Sequence, residues 1–468
     1  MKTPGPKEKR PWRENVEALV MAIVVALLFK FFVLEISKIP SGSMQPTLMG
    51  STETSVFDRI LVDKLSYHYR DPERFEIVVF KHPLERSRVM VKRLVGMPNE
   101  ELKLEFGDVW TRADPSAPWQ VLRRPPSIQG PMWKRIDPLE PSRSNWSLVS
   151  GGEQWSLLAR AARANGSGRI RFHAEWDSIR DRYTDGYPDA LREDISGGRA
   201  ERGSHPVGDL RFEGRVRAHD GLQEFVIHLS EGSRSYEFHV PGPAAAAQAA
   251  PSIGAREGRA PAGSALADPW RLPPGAAVRI AAENLDDRLA LEIDGQAVLS
   301  LEVAPCARQE STVELEVLGA GADLDELAVY RDVFYFWPDQ EDSVWQVRIP
   351  AQHYVMLGDN TQDSADSRDW ESVTYEWTED GETRRERGNS RPPGLEQPNP
   401  IEFTSAGPLF LSFRDEWGER HSFAGEASRK SPGGNAPLVS RDLLLGRAFA
   451  VFWPLKPSRK LWRLGWLH

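Results

Sequence analysis

The chain has 468 residues, 40 % apolar and 27 % charged, which excludes an intrinsically disordered protein and leaves room for roughly two to four domains. Its net charge of −9 gives no footprint for nucleic acid, and a single cysteine, Cys306, rules out an intrachain disulfide and argues against a cysteine-based zinc site. Sixteen tryptophans favour β-rich packing or a membrane interface over a helical bundle.

The N-terminal tail, residues 1–14, is basic, with Lys2, Lys7, Lys9, Arg10 and Arg13 against Glu8 and Glu14. The apolar run 18–34 follows, 17 positions interrupted by Lys30, at the short end for a bilayer-spanning helix. A lysine near a helix end can snorkel to the headgroups. A single anchor over 15–36 is therefore expected, with the basic tail inside and the bulk of the chain outside. A cleaved signal peptide shares the basic start and apolar core. Its nearest small-x-small site is Ser41-Gly42-Ser43, and a cut there would discard the most distinctive motif in the chain.

Residues 37–145 open with "SKIPSGSMQPTL" and then read as strands: "RILVDKL", "FEIVVFKHP" and "RVMVKRLVG". "ELKLEFGDVWTR" has the form of a hairpin turning at Gly107-Asp108. From 146 to 335 the pattern is a long series of alternating strands. Ile170, Phe172, Ala174 and Trp176 share one face, as do Phe225, Ile227 and Leu229, and Tyr236, Phe238 and Val240. Asp294-Gly295 is a strong hairpin turn. Together these predict an inserted two-sheet sandwich, with 241–265 as a low-complexity, mobile loop. Residues 336–370 return to the first pattern. A charged, Pro- and Gly-rich surface excursion occupies 371–437, with a hairpin around "PLFLSF". In 438–468, "LLLGRAFAVFWPL" reads as a buried strand. The fold class expected is mainly β: a β catalytic domain interrupted by a β-sandwich, with one N-terminal membrane helix.

A serine is a poor nucleophile until a base removes its proton. No histidine context pairs with Ser43, and Pro46 excludes the SxxK spacing. A lysine kept neutral by burial can serve instead. Lys92 shares an alternating face with Met90 and Leu94, an unusual place for a charge. Periodicity alone also allows an edge-strand lysine that snorkels.

"SGSMQPTL", "DRILVDKLSY", "VKRLVG" and "GDNTQDSADSRDW" resemble, in order, the boxes of type I signal (leader) peptidases, and "LLLGRAFAVFWP" resembles that family's last strand. The likeness covers about 37–104, 348–370 and 438–460 and leaves both insertions unexplained. It implies that Ser43 is the nucleophile and Lys92 its general base. Ser41 would share the oxyanion hole with the Ser43 backbone N–H, and Ser364 would orient the lysine. Asp366 and Arg368 would form a buttressing ion pair, with Asp359 and Asn360 in the same supporting box. Ile39, Pro40, Met44 and Leu48 would line the pocket for the residue before the cut. Lysine in the "VKRLVG" box implies the bacterial Ser-Lys branch. The expected location is the bacterial cytoplasmic membrane, the partners are preprotein signal peptides, the lipid bilayer and the secretion machinery, and no cofactor or metal is expected. The chain departs from the family at Pro98-Asn99-Glu100, in the longer link "STETSVF", and at Phe57, where glycine is usual.

The strands of the insert and "DELAVYRDVFY" loosely resemble concanavalin-type jelly rolls, which leaves two roles open: a packing spacer whose ends lie close together, or a binder of carbohydrate or a protein partner. Two other functions stay in view. One is an anchored binding protein on an inactive peptidase scaffold, against which the presence of Ser43, Lys92 and Ser364 argues. The other is a self-cleaving repressor-type peptidase, which would lack the anchor and carry a DNA-binding module.

Overall fold

The computed structural model describes residues 11–51, 54–136, 144–173, 178–192, 203, 205–307, 310–337, 344–379, 381–389, 410–424, 429–456 and 461–467. Ala174 and Trp176 lie outside these. The fold is mainly β.

Three distant stretches of chain build the first sheet. Its order is Leu34–Lys38, Arg59–Asp63, Leu444–Trp453, Ile77–Lys81, Val89–Gly96, His353–Leu357 and Leu438–Ser440, with Gly465–Trp466 paired to Leu444–Trp453. Every pairing is antiparallel. The late apolar run thus fills a central place, its β-branched and aromatic residues flanked on both sides. Val89–Gly96, which carries Lys92, lies beside His353–Leu357 in the register Leu94↔Met356 and Arg93↔Leu357. Ile60, Val62, Ile77, Val79 and Val451 fill one face, and Val78, Phe80, Leu94 and Met356 the other.

The hairpin beside this sheet pairs Glu101–Glu105 with Asp108–Arg112. Its turn residues are Phe106 and Gly107, both at positive φ (56° and 94°), one position earlier than the Gly107-Asp108 turn expected. At the departure from the family's turn, Asn99 takes the left-handed conformation and Glu100 closes the loop, accepting from Met97 N at 2.8 Å and pairing with Arg74 at 2.6 Å. Lys38 Nζ stands 4.0 Å over the ring of Phe57.

The sandwich has two sheets of eight and seven strands among the described residues. The alternation read from sequence faces its side chains as expected: Ile170, Phe225, Ile227 and Phe238 are fully buried and pack against Phe212, Val216, Ile280 and Leu315. Each such burial is worth roughly 1.5–3 kcal/mol. Ile293 pairs with Gln296 across Asp294-Gly295, both at positive φ. Residues 241–265 depart from the mobile-loop expectation. Ser252–Glu257 and Ala260–Leu266 pair as a hairpin at the sheet's end, because Ile253 and Ala255 alternate into the core despite the Ala, Gly and Pro composition. Lys134–Ile136, ahead of the boundary expected at 146, is itself a strand of the sandwich, paired with Ala322–Arg331 in the register Lys134↔Arg331.

In the late excursion, Glu371–Glu379 pairs with Glu382–Gly388 and Arg429–Asn435, and the expected hairpin pairs Phe410–Arg414 with Arg420–Ala424. Tyr375, Trp377, Phe413 and Phe423 give it a small core of its own.

The N-terminal helix runs Pro11–Phe32, 22 residues, and Leu19, Met21, Val25, Leu28 and Phe29 on it are exposed. Among the described residues no helix is long and apolar enough to cross a membrane.

Candidate active site

The turn after the first strand buries Ser43, 8 % exposed, and leaves Ser41 exposed. Asn360 closes over that turn. Its backbone N–H donates to Ser43 O at 3.1 Å, and its side-chain amide donates to Gly42 O at 3.1 Å. Gly358 lies between them and the lysine. A Cβ on it would fall 2.5 Å from Ser43 O and 2.1 Å from Ser364 Oγ, so only glycine allows this approach.

Lys92 is 1 % exposed and donates to Ser364 Oγ at 3.0 Å. Ser364 Oγ donates onward to Asp366 Oδ2 at 2.7 Å. Arg368 clamps the same carboxylate through Nε to Oδ1 at 2.8 Å and Nη2 to Oδ2 at 2.9 Å. Burial lowers the Lys92 amine to about 8; the Asp366 charge draws it up and the Arg368 charge pushes it down. Burial alone would raise the Asp366 carboxyl, but Arg368 and Lys92 outweigh it and hold the group below its ordinary value.

Asp359 joins the two halves. It accepts from Arg93 Nε at 2.8 Å and Nη2 at 2.7 Å, and from Thr47 Oγ1 at 2.6 Å in the serine loop. Burial would raise this carboxyl too, but Arg93 keeps it below its usual value. The predicted residues Ser43, Lys92, Ser364, Asp359, Asn360, Asp366 and Arg368 therefore meet around one short loop, Gly358–Arg368. Ile39, Met44 and Leu48 sit in the core with Ile60 and Ile77, and Pro40 is exposed.

Several contributors escaped the sequence reading. Arg93 stood in the "VKRLVG" box beside the residue singled out. Lys134 donates to Asp359 O at 2.7 Å, and burial together with the Arg331 charge lowers it to about 7. Arg463 holds the serine loop from the C-terminal side, reaching Asp58 Oδ2 at 2.7 Å and Thr47 O at 2.9 Å. The sandwich also reaches this loop. Tyr183 and Tyr187 both donate to Gln45 Oε1, Tyr183 at 3.0 Å, and Gln362 Nε2 donates to Asp181 O. Met49 and Val56 bury against Tyr187 and Leu191.

A serine hydroxyl attacks a carbonyl only when a base takes its proton, and an amine lowered to about 8 can act as that base. Residues 12–118 match the sequence profile of a family described as signal peptidase, peptidase S26. A probable signal peptidase I-2 of Synechocystis sp. is 37 % identical over 113 residues, 22 % of this chain and 49 % of that protein. The signal peptidase I of Leptolyngbya laminosa is 35 % identical over 132 residues, 26 % of this chain and 61 % of that protein. The chain thus spans less than two thirds of the length of these relatives. Among solved structures, a carbohydrate-binding module of Bacillus subtilis matches at 14 % identity and TM-score 0.26, covering 41 % of this chain and 99 % of its own. A beta-glucanase of Bacillus licheniformis matches at 8 % identity and TM-score 0.29, covering 42 % of this chain and 98 % of its own. Likenesses at that level carry no argument about what the sandwich does.

Proposed function

We propose that this chain, similar over residues 12–118 to the signal peptidases, is a membrane-anchored serine endopeptidase that removes N-terminal signal peptides from exported preproteins. One observation carries the reading: a buried lysine of lowered pKa, oriented by Ser364, faces the loop that also holds Ser43. Ser43 Oγ attacks the scissile carbonyl carbon and its proton passes to the neutral Lys92 amine. The Ser43 N–H and the Ser41 hydroxyl receive the oxyanion. The tetrahedral species collapses, the C–N bond breaks, and Lys92 returns the proton to the departing amine. A water then attacks the Ser43 ester with Lys92 again as base, the acyl–Oγ bond breaks to release the cut peptide's new carboxyl terminus, and Lys92 returns the proton to Ser43 Oγ. Ile39, Pro40, Met44 and Leu48 would line the pocket for the residue before the cut, of which Pro40 is exposed and the other three are buried in the core.

Residues 15–32 serve as the anchor, with 1–14 on the cytoplasmic side of a bacterial inner membrane; the 15–36 span expected from sequence is shorter, because Leu34–Lys38 already pairs in the first sheet. Exposed apolar side chains along Pro11–Phe32 support this, as do the exposed Trp462, Leu464 and Trp466. Trp466 lines a surface hollow together with Val33 and Leu34, which puts a tryptophan where a bilayer interface favours one. The sandwich, 146–335, and the excursion, 371–437, are insertions into the catalytic chain. The test is incubation of the detergent-solubilised chain with a preprotein and mass mapping of the products. A cut after a small-x-small sequence is expected; a preprotein left intact across the pH range overturns the reading.

A further inference from the structure

Three aspartates from two parts of the molecule converge away from the proposed catalytic loop. Asp108 opens the strand Asp108–Arg112 of the hairpin beside the first sheet. Asp209 precedes the sandwich strand Leu210–Ala218, and Asp286 stands in the turn between Ala277–Leu285 and Arg288–Ile293. One carboxylate oxygen of each lies within 4.8 Å of the other two. Asp209 and Asp286 are buried and Asp108 is half-buried.

The guanidinium of Arg124 lines the hollow beside Asp108 and Asp286, but its hydrogen bonds go to other groups. Arg124 Nη1 donates to Asp332 Oδ2 at 2.6 Å and to Gln129 Oε1 at 2.8 Å. Arg123 donates to the backbone oxygen of Asp286 at 2.7 Å and to Glu302. Among the described residues, Asp286 Oδ2 is fully buried without a hydrogen-bond partner, and so is Asn284 Oδ1 two residues earlier. Asp286 as a whole is 4 % exposed. Buried polar atoms are rarely left so, since they give up water for nothing.

We propose that Asp108, Asp209 and Asp286 bind a calcium ion that ties the sandwich to the catalytic hairpin. Two oxygens held at about 2.3–2.6 Å from one Ca²⁺ can be at most about 5 Å apart, which the cluster satisfies. An all-oxygen donor set disfavours the softer metals. The hollow lined by Gly107, Asp108, Arg124, Asp286 and Asp332 leaves no room for water beside the carboxylates. That counts against Mg²⁺, which gives up its waters reluctantly, and favours an ion that takes protein oxygens in irregular geometry. The site does not depend on the reaction proposed above.

The test uses the full chain in detergent, stripped with chelator and titrated with CaCl₂ by calorimetry and thermal unfolding. One equivalent should bind, and Ca²⁺ at about 100 times its Kd should raise Tm by roughly 5 °C, with MgCl₂ giving no shift. Asp286→Asn and Asp209→Asn should each abolish the shift. Both variants relieve repulsion, so in chelator they should unfold no earlier than the wild type, which separates lost binding from lost folding. A folded wild type that binds no Ca²⁺ overturns the proposal. So does a full Ca²⁺ shift in both variants, and a Mg²⁺ shift of equal size overturns the assignment to calcium.

Discussion

Lys92 Nζ donates to Ser364 Oγ at 3.0 Å across 272 positions of sequence. Ser364 in turn donates to Asp366, so one proton of the lysine is fixed in direction and the nitrogen's lone pair, once the amine is neutral, points elsewhere.

The first expected outcome is a rate that rises with pH. Lys92 is charged below about 8 and neutral above it. Only the neutral form accepts the Ser43 proton, so kcat/KM should climb about tenfold per pH unit below that value and level off above it. Lys92→Arg should be inactive throughout, because a guanidinium keeps its charge. A pH–rate profile of both proteins checks this.

Lys134 is a rival for the same role, since burial and Arg331 lower it to about 7. Its Nζ is committed to Asp359 O, which gives it a positioning part. Lys134→Met should cost about 1–3 kcal/mol by leaving that carbonyl unpaired, with the pH midpoint unchanged. A midpoint lost in Lys134→Met but kept in an active Lys92→Met would make Lys134 the base.

Gly358 tests the geometry without touching a reacting group. Its added Cβ would meet Ser43 O and Ser364 Oγ inside contact distance. Gly358→Ala should destabilise by about 1–3 kcal/mol and lower kcat at least a hundredfold, through displacement of the serine loop from the lysine. Wild-type kcat in this variant would show that the close approach is not required.

The sequence leaves the sandwich as a packing spacer or as a binder of carbohydrate or a protein partner, and its contacts with the serine loop are those of packing. Tyr183 and Tyr187 hold Gln45, two residues after Ser43, and Met49 and Val56 are buried under Tyr187 and Leu191. Replacing 146–333 with a Gly/Ser linker should therefore expose apolar surface on the serine loop and remove most activity. Tyr187→Phe should cost about 1 kcal/mol of stability and lower kcat less than the deletion does. Full activity of the deletion would show that this packing is not required.

What the sequence made legible follows from which contacts depend on residue type. Ser43, Lys92, Ser364, Asp366 and Arg368 need their own side-chain chemistry, so their boxes stood out in order. Lys134 and Tyr183 did not, because one meets a backbone carbonyl and the other a loop brought close only by docking of the sandwich. The 252–266 hairpin hid behind alanine, glycine and proline, with only Ile253 and Ala255 marking its buried face. The convergence of Asp108 with Asp209 and Asp286 joins residues about a hundred or more positions apart on separate sheets, and no local pattern announces it.

Whether Ser43 is the nucleophile is decided by preprotein cleavage with Ser43→Ala beside wild type and Ser41→Ala, each confirmed as folded by circular dichroism. Ser43→Ala should give no cleavage, and Ser41→Ala, with one oxyanion donor fewer, should lose about 10²–10³ in rate. Cleavage by Ser43→Ala at the wild-type rate would contradict that role.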